Sequence, residues 1–415
     1  MLKYELSIYI SIPKGVPMND RDNKLIELLQ AAVRTKSYSG EENLMADLME
    51  KALLELGFEN VQRLQYGTVV GCVKGAKPGP TFLFDGHMDT VEVVDQDEWS
   101  VDPWGGEIKG DKLYGRGSTD MKGGLIAMVC AVHDFAENCN KDFAGELWVS
   151  CSVHEECFEG ISCRAISKIV KPDLVISPEP TNMVALIAQL GRAEIVVETK
   201  GVAAHSSLPE AGIDAVYHMT ELIREIRKIQ PKYDYAGRRG ILVLTDIISS
   251  PYPGASVVPS LCRVTYDRRT LIGETPEDVL KPIQNAIETV KANIPELNAR
   301  VYFAEGKAPC YTGETITAER FFPAWEVPEN NALVQKFVAG MKDTGLEGKT
   351  DYAGFCTNCS HFGGELGIPC IICGPEPREM GHARDEYVSI SSVCKARDGY
   401  IAALKRLMMG TDYHY

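Results

Sequence analysis

Residues 84–90 read Phe-Asp-Gly-His-Met-Asp-Thr and continue a short apolar segment. We predict a β-strand over residues 81–85, because the segment is apolar and begins after a Lys-Pro-Gly-Pro turn at residues 77–80. His87 and Asp89 then lie at the carboxyl end of a strand, which is where open α/β sheets bind their ligands. A histidine there can bind a metal while a nearby carboxylate orients its other ring nitrogen. The same two residues could equally form a structural hydrogen-bonded pair.

Predicted helices and strands alternate around this motif. In chain order they are helix 22–35, helix 39–57, strand 68–73, strand 81–85, helix 123–138, strand 146–153, helix 162–171 and strand 173–177. The second helix is assigned from a Ser-Gly-Glu-Glu capping box at residues 39–42. Alternation of this kind is typical of an α/β sheet with helices covering its faces.

The pattern changes after Pro180. The predicted order there is strand 193–199, helix 212–230, strand 241–248, strand 260–267, helix 275–292 and strand 299–304. This β-α-β-β-α-β order suits a ferredoxin-like α+β unit of four strands and two helices. The α/β pattern then resumes with helices 330–342 and 391–408. We therefore predict an α/β domain in two parts, residues 1–190 and 306–415, interrupted by an inserted domain over residues 191–305.

The composition favours a folded, acidic protein that acts on small molecules. Of 415 residues, 45% are hydrophobic, and 58 acidic residues against 43 basic ones give a formal net charge of −15. A chain of this length suits two domains. Its negative charge repels phosphate backbones and anionic lipids, so nucleic acids and membranes are poor candidate partners.

The N-terminal residues 1–15 are only partly apolar, because Glu5 interrupts them, and no small-residue cleavage site follows. No segment reaches the roughly 18 apolar residues of a membrane span, so neither a secretory signal nor a membrane anchor is expected. We expect a cytoplasmic protein whose N-terminus forms a short strand or an extension before the first helix. Its 13 cysteines are then expected to be reduced thiols.

A glycine-rich turn at residues 114–124 reads Tyr-Gly-Arg-Gly-Ser-Thr-Asp-Met-Lys-Gly-Gly and carries Asp120 into a predicted helix. Its glycines follow neither of the phosphate-binding orders G-x-G-x-x-G and G-x-x-x-x-G-K-[ST]. A phosphate loop would also need a strand directly before it, whereas residues 105–112 read as a loop. We interpret the turn as a holder for the carboxylate of Asp120.

Three more motifs carry carboxylates or a histidine. Residues 154–157 (His-Glu-Glu-Cys) place Glu155 and Glu156 after an apolar strand, where two adjacent carboxylates are costly unless a positive charge neutralises them. Glu179 stands between two prolines after the next apolar strand, and His382 lies in the run Gly-His-Ala-Arg-Asp-Glu near the C-terminus. Singly, each has an ordinary explanation as a solvated glutamate or a structural histidine.

Two Cys-x-x-Cys pairs, at residues 356–359 and 370–373, raise the alternative of a structural zinc site. Against it, residues 369–374 read as a buried strand, in which alternation points the two thiols to opposite faces. We interpret these cysteines as packing residues.

Together the motifs supply two histidines and several carboxylates, most of them at strand ends along one rim of one sheet. Imidazole and carboxylate ligands suit zinc, with cobalt or manganese able to substitute. Two metal ions that share a carboxylate can activate water and hold a tetrahedral intermediate. The sequence therefore predicts a two-metal hydrolytic site.

In this combination and order, the motifs resemble those of the co-catalytic zinc family that includes acetylornithine deacetylase, succinyl-diaminopimelate desuccinylase, aminoacylase and bacterial glutamate carboxypeptidase. The resemblance runs from about Lys24 to the C-terminus. It is strongest for the branch found with selenium-dependent, purine-degrading gene clusters of anaerobic bacteria. It implies a two-zinc, peptidase-like catalytic domain with a mixed sheet and an inserted lid and dimerisation domain.

The resemblance also implies a role for each motif residue. The two zinc ions would be held by five ligands, with His87 and Glu179 at the first ion, Glu156 and His382 at the second, and Asp120 bridging both. Glu155 would be the general base, and Asp89 would orient His87. The family has a cis peptide after the bridging aspartate, which here is the bond from Asp120 to Met121.

Within the inserted domain, residues 201–207 (Gly-Val-Ala-Ala-His-Ser-Ser) match a family segment whose histidine reaches the carbonyl oxygen of the scissile amide, often from the partner subunit. The resemblance thus implies oxyanion stabilisation by His205 and a homodimer through the inserted domain. Arg269 matches the family arginine for the substrate carboxylate, with a surface salt bridge as the ordinary alternative. Asn358 is a further candidate for substrate contact.

We therefore expect a zinc-dependent amidohydrolase, a metallo-exopeptidase or deacylase, that cleaves the amide bond of a small N-acyl or N-carbamoyl amino acid or a dipeptide. The alternative is a metal-stabilised binding protein that has lost catalysis. Retention of Glu155 argues against it, because binding alone needs no free base. One departure from the family is His154, which stands where an acidic residue is usual and bears on the pKa of Glu155.

Overall fold

The computed structural model describes residues 19–409. The N-terminal strand or extension expected from the sequence lies outside the described residues. The helices are α1 Asp20–Arg34, α2 Asn43–Glu55, α3 Gly123–Asn138, α4 Cys163–Ile166, α5 Ala215–Ile226, α6 Pro276–Lys291, α7 Ala332–Asp343 and α8 Ile390–Met408. The strands are β1 Glu59–Arg63, β2 Val69–Lys74, β3 Lys77–His87, β4 Glu107–Lys109, β5 Lys112–Tyr114, β6 Ala144–Ser152, β7 Leu174–Pro180, β8 Ala185–Gln189, β9 Gly191–Lys200, β10 Ile241–Ser250, β11 Leu261–Thr270, β12 Asn298–Phe303, β13 Glu305–Pro309, β14 Thr315–Glu319, β15 Phe321–Phe322, β16 Trp325–Glu326, β17 Thr350–Ala353, β18 Cys370–Gly374 and β19 Tyr387–Ser389.

The larger sheet has nine strands in the order β1-β2-β6-β3-β7-β18-β8-β16, with β17 paired to β8. Strands β6, β3, β7 and β18 run parallel to one another. Strand β2 pairs antiparallel with β1 and β6, and β8 pairs antiparallel with β18 and β16 but parallel with β17. A parallel centre with antiparallel edges confirms the predicted mixed α/β sheet. Because parallel strands are covered on both faces, β7 is buried along its whole length.

Helix α3 lies against the middle of this sheet and is apolar almost all round. It is also covered by α8, so nearly every one of its side chains is buried. The rings of Phe84 on β3 and Tyr400 on α8 lie 5.5 Å apart, and the Tyr400 hydroxyl donates a hydrogen bond of 2.6 Å to the Cys373 carbonyl on β18. The helix layer and the sheet thus share one continuous core.

The second sheet has the order β10-β11-β9-β12, with all pairs antiparallel and β15 added beside β9. Helix α5 connects β9 to β10 and helix α6 connects β11 to β12, as the ferredoxin-like pattern predicts. Side chains alternate along β11, so Val264 and Tyr266 are buried in the core that α5 and α6 share with the sheet. Arg269 lies on the opposite face of the sheet. The predicted domain boundaries at residues 190/191 and 305/306 remain a prediction.

Strand β10 is the edge of the second sheet, and its side chains are exposed on both faces. Val243, Ile247 and Ile248 are 49%, 52% and 54% exposed. Apolar side chains on both faces of an unpaired edge strand favour contact with another chain.

Three local predictions are wrong. The N-cap of α2 is Glu42 rather than Ser39, and it makes no side-chain cap; true capping boxes occur at Asn19/Asp22 and Thr275/Asp278. The helix predicted over 162–171 is a single turn, and residues 105–112 hold the start of a β4–β5 hairpin instead of a loop. Each of these segments is short, so tertiary contacts decide its shape.

Within residues 19–409, none of the helices combines the length and the apolar character that crossing a membrane requires. Cys370 and Cys373 lie in the buried strand β18, as predicted. In the described part of the chain, the groups of side chains that could hold a metal contain no cysteine.

Candidate metal centre

Three neighbouring parallel strands bring the first site residues together. His87 is the last residue of β3, Glu155 and Glu156 follow the end of β6, and Glu179 is the second-last residue of β7. Because β6, β3 and β7 are adjacent and parallel, their carboxyl ends meet at one rim of the sheet. The sequence prediction of a shared rim is confirmed.

Asp120 reaches the same rim from the glycine-rich turn at the start of α3. The buried carboxylate of Glu386 holds this turn by accepting hydrogen bonds from three backbone N–H groups, those of Gly117, Thr119 and Asp120, at 2.9–3.0 Å. Arg116 also donates to Glu386, at 2.7 Å. The peptide bond from Asp120 to Met121 is cis. A segment near the C-terminus therefore fixes where Asp120 points.

His382 comes from the loop between β18 and β19, and its backbone has φ of 59°. This left-handed conformation is uncommon outside glycine. It turns the imidazole toward the rim, where His382 Nε2 lies 3.0 Å from Glu156 Oε1 and 3.3 Å from Asp120 Oδ2.

The distances define two adjoining groups that share Asp120. His87 Nε2 lies 3.2 Å from Asp120 Oδ1 and 3.8 Å from Glu179 Oε1. His382 Nε2 is close to the other oxygen of Asp120, so one carboxylate serves both histidines. The five side chains predicted as ligands thus converge. Among the described residues, His87 lies close enough to hold a metal with Asp120 and Glu156, and also with Glu155 and Glu179. Imidazole and carboxylate donors are those that zinc prefers.

The electrostatics of the cluster call for bound positive charge. Burial raises the pKa of Glu179 to about 8. Burial, reinforced by the negative charge of Glu179, also raises the pKa of Glu155 well above its ordinary value. Burial alone would lower the pKa of His87, but the nearby carboxylates outweigh it and raise that pKa. Several buried carboxylates at this spacing are stabilised by divalent cations, so the residues fit a metal pair.

Asp89 lies behind the cluster and is completely buried. His87 Nδ1 lies 2.8 Å from the Asp89 backbone carbonyl and 3.6 Å from its carboxylate. The carboxylate instead accepts hydrogen bonds from the Ser39 hydroxyl at 2.7 Å and from the backbone N–H groups of Glu155 and Glu156 at 3.1 and 3.2 Å. Asp89 therefore fixes the histidine through its backbone and the glutamate pair through its side chain.

His154 adopts φ of 56° where the chain bends out of β6. Histidine, like aspartate and asparagine, tolerates this conformation better than most residues. Its ring is buried, neither ring nitrogen has a hydrogen-bond partner among residues 19–409, and burial lowers its pKa. Its backbone N–H donates to Glu42 at 3.1 Å. His154 thus shapes the bend that presents Glu155.

A cleft of about 120 Å³ opens between this rim and the second sheet. Its polar walls combine the candidate metal ligands with three arginines, Arg192, Arg269 and Arg378. Arg269, predicted as a substrate contact, lies in this wall, and its Nε forms an ion pair of 3.1 Å with Asp267.

Asn358 and His205, both predicted to contact the substrate, do not line the cleft. The buried amide of Asn358 donates to Asp85 and Ser152 at 2.9 and 2.8 Å, and accepts from the Gly160 backbone at 2.7 Å. With its hydrogen-bonding groups engaged in this way, Asn358 anchors three segments of the chain, and the predicted substrate contact stays a prediction. His205 is exposed in the segment between β9 and α5, and its ring accepts a hydrogen bond of 3.1 Å from the Ser207 backbone N–H.

Sequence reasoning missed Glu386, Arg192 and Arg378. Glu386 ends the motif that contains His382, and its position there was the only available signal. Arg378 precedes His382 by four residues in a loop without regular pattern, and only the folded structure shows that it reaches the cleft.

Known proteins resemble this chain over most of its length. The chain is 30% identical over 379 residues to the uncharacterized protein YgeY of Escherichia coli K12, covering 88% of this chain and 90% of that protein. It is 24% identical over 404 residues to acetylornithine deacetylase of Buchnera aphidicola (subsp. Schizaphis graminum), covering 94% of each.

Two solved structures share the fold. Aminopeptidase PepT of Bacillus cereus superposes with a TM-score of 0.71 at 18% identity, over 93% of this chain and 98% of that one. The YXEP protein of Bacillus subtilis, a dinuclear metal binding peptidase, gives a TM-score of 0.65 at 12% identity, over 92% and 98%. The sequence pattern of peptidase family M20/M25/M40 matches residues 83–406, and the chain belongs to that family.

Proposed function

We propose that this protein hydrolyses the amide bond of a small N-acyl or N-carbamoyl amino acid or of a dipeptide, using two zinc ions that cobalt or manganese can replace. Membership of the family makes it a metal-dependent amidohydrolase. The identity of the substrate, the identity of the metal and the role of each residue are what we propose beyond this. Acetylornithine deacetylase among its relatives supports an acyl amino acid as substrate.

One observation carries the proposal. Asp120 lies between His87 and His382, with one oxygen 3.2 Å from the first and the other 3.3 Å from the second. Glu179 and Glu156 complete the two groups, and Glu155 remains beside them as a carboxylate that the ligand set does not need. Divalent cations held there would supply Lewis acidity, which lowers the pKa of water and polarises a carbonyl.

Glu155 is proposed to move the proton. Its Oε2 lies 3.9 Å from His87 Nε2, so it faces the same point as the candidate ligands. Burial and the charge of Glu179 raise its pKa, which brings this carboxyl closer to the pH at which a base can both accept and return a proton. Glu155 takes a proton from the attacking water and delivers it to the leaving nitrogen.

We also propose a homodimer formed through β10. The exposed apolar side chains of this edge strand suit a second copy, because a two-fold axis can pair one strand with the same strand of the partner. His205 pairs with Val257, in the segment that follows β10. A dimer built there would bring His205 close to the partner's cleft, where it would stabilise the oxyanion. We further propose that the protein is cytoplasmic and that its cysteines are reduced.

Turnover by metal-loaded protein tests the function. N-acetyl amino acids, N-carbamoyl amino acids and dipeptides are screened, and metal content is measured on the same sample. Glu155→Gln should keep both metal ions and lose about 10²–10⁴-fold in kcat, since it removes the base alone. The matched control is Glu41→Gln, an exposed residue, which should keep full activity.

Two results would count against the proposal. Full turnover by Glu155→Gln excludes this residue as the base. Two bound metals without hydrolysis of any substrate would favour the second candidate function, a metal-stabilised binding protein.

A further inference from the structure

The second sheet has a separate pocket on each of its faces. Arg269 on β11 lines the cleft, whereas Arg268, the residue before it, lines a groove of about 350 Å³ on the side of α5 and α6. Successive side chains of a strand point to opposite faces, so the sheet divides the two pockets. None of the described residues that line the groove also lines the cleft. The groove is therefore a site distinct from the candidate metal centre.

The floor of the groove is apolar. Val279 and Ile283 of α6 are buried in the core of the second sheet, and the partly buried Ile229 and Leu242 pack against the same core. The volume of the groove falls within the range of roughly 300 to 1,000 Å³ that is usual for small-molecule sites. A small organic group can thus lie against this floor.

The rim of the groove is positively charged, although the chain as a whole has a formal net charge of −15. Two carboxylates, Glu274 and Asp278, stand against four cations, Arg227, Lys232, Arg239 and Arg268. Both carboxylates are already engaged. Glu274 accepts hydrogen bonds of 2.8 and 2.9 Å from Arg268 Nη2, and Asp278 accepts from the backbone N–H and the hydroxyl of Thr275 at the start of α6.

The guanidiniums of Arg227 and Arg239 are free to bind a ligand. Within residues 19–409, neither has a carboxylate within 4.0 Å. Arg227 follows the end of α5 and Arg239 precedes β10, so they reach the groove from two elements. Lys232 Nζ adds a third charge, 3.6 Å from Glu274. Because a guanidinium fork matches the oxygens of a phosphate, this rim suits a phosphate group.

We propose that the groove binds a small phosphate monoester whose organic part is apolar. Arg227 and Arg239 hold the phosphate, and the organic part lies on the floor formed by Leu242, Val279 and Ile283. A phosphate monoester carries close to two negative charges near neutral pH, so it balances both guanidiniums, which a carboxylate cannot do. This site is independent of the proposed amide hydrolysis.

Calorimetric titration of the metal-loaded protein tests the site, with phenyl phosphate as the probe. Phenyl phosphate should bind at least about ten-fold more tightly than benzoate, which has one charge, or phenol, which has none. It should also bind about ten-fold more tightly than inorganic phosphate, which has no ring to bury on the apolar floor.

Two variants separate the rim from the floor. Arg239→Gln should weaken the binding of phenyl phosphate and of inorganic phosphate by about ten-fold or more. Leu242→Ala should weaken the binding of phenyl phosphate alone. The matched control is Arg224→Gln, which removes an equal charge from an exposed position on α5, where Arg224 pairs with Glu221, and should change neither affinity. Thermal unfolding verifies that all three variants are folded.

Arg268 is unsuitable for this test, because it donates a hydrogen bond to the backbone carbonyl of Arg269 and its removal would reach the cleft.

Metal ions also attract phosphate, so the variants decide where the probe binds. Wild-type affinity for phenyl phosphate in Arg239→Gln would place the probe elsewhere and overturn the proposal. Equal affinities for phenyl phosphate and benzoate overturn the choice of a phosphate ligand, and the absence of binding at millimolar concentrations overturns the site itself. None of these measurements uses amide turnover, so a failure of the proposed hydrolysis leaves their result intact.

Discussion

At the scale of single residues, the site depends on side chains that never touch a metal. Asp89 binds the backbone of the two glutamates, Glu386 binds the turn that carries Asp120, and Asn358 binds the Gly160 backbone beyond the glutamates. The candidate ligands and the candidate base could be named from the sequence because each follows an apolar strand or a marked turn. Asp89 and Asn358 were named in other roles and Glu386 was missed, since their hydrogen-bond partners are distant in sequence.

Asp89→Asn tests the support of the glutamate pair. An amide oxygen can accept from one of the two backbone N–H groups at Glu155 and Glu156 but not from both, so kcat should fall about 10- to 100-fold with weaker metal binding. Ser39→Ala removes only one hydrogen bond to Asp89 and should lose less. Equal activity of Asp89→Asn and wild type would refute this role. Kinetics and metal titration measure both effects.

Asn358→Ala separates an anchor from a substrate contact. Removing the amide takes one hydrogen bond each from Asp85, Ser152 and the Gly160 N–H, so the free energy of unfolding should fall by about 2 kcal/mol. Chemical denaturation measures this change. A raised KM at unchanged stability would instead support the role that the sequence predicted.

At the scale of elements, strands and long helices were predicted closely, and short elements were not. The predicted helix 123–138 coincides with α3, because its apolar run is long and both ends are marked by glycine or polar residues. Residues 39–42 look like a helix cap, yet Ser39 donates its hydrogen bond to Asp89, across the fold. Local chemistry permitted two partners for this serine, and tertiary structure selected one.

Gly124→Ala tests the contact between α3 and β7. A Cβ at this position would lie 2.0 Å from the Pro178 carbonyl oxygen, so α3 would have to move away from β7 and carry Asp120 away from Glu179. Stability should fall by about 1–3 kcal/mol, and metal affinity should fall with it. Gly354→Ala, where a Cβ meets nothing within 4 Å, is the control and should unfold at the wild-type denaturant concentration.

Glu42 at the start of α2 gives stability a dependence on pH. Burial, with the charge of Asp89, raises the pKa of Glu42 from 4.5 to about 8. The folded protein then holds this proton more tightly than the unfolded chain, so stability should decrease as the pH rises from about 4.5 through 8.

Glu42→Gln removes this titration while keeping the shape of the side chain. Metal-free protein carrying the substitution should be more stable than wild type at pH 8, by on the order of 3 kcal/mol, and equally stable at pH 4. Its exposed neighbour provides the control, as Glu41→Gln should keep the wild-type slope of stability against pH. A parallel shift at all pH values would contradict the linkage.

At the scale of the whole molecule, the predicted architecture is confirmed as an α/β mixed sheet with a ferredoxin-like second sheet. The order of elements along the chain was enough to predict this arrangement. It could not show which faces meet across the cleft, because the meeting of Arg269 with Arg378 depends on how one sheet sits over the other.

Mixing two inactive variants tests whether His205 acts across subunits. In a heterodimer of His205→Ala and Glu155→Gln chains, one site combines an intact base with an intact histidine from the partner. If His205 acts in trans, an equal mixture should regain about a quarter of wild-type activity, because about half of the dimers are mixed and each has one working site. A mixture that remains inactive, with exchange verified by mass spectrometry, would place His205 in its own subunit's site, and an active His205→Ala protein would place it outside catalysis.

The hydrogen bonds that Glu386 accepts from the glycine-rich turn have a consequence for protein synthesis. A growing chain exposes the glycine-rich turn long before His382 and Glu386, the residue whose carboxylate immobilises the turn, have been translated. The complete predicted ligand set can therefore assemble only after residue 386 has been added to the chain.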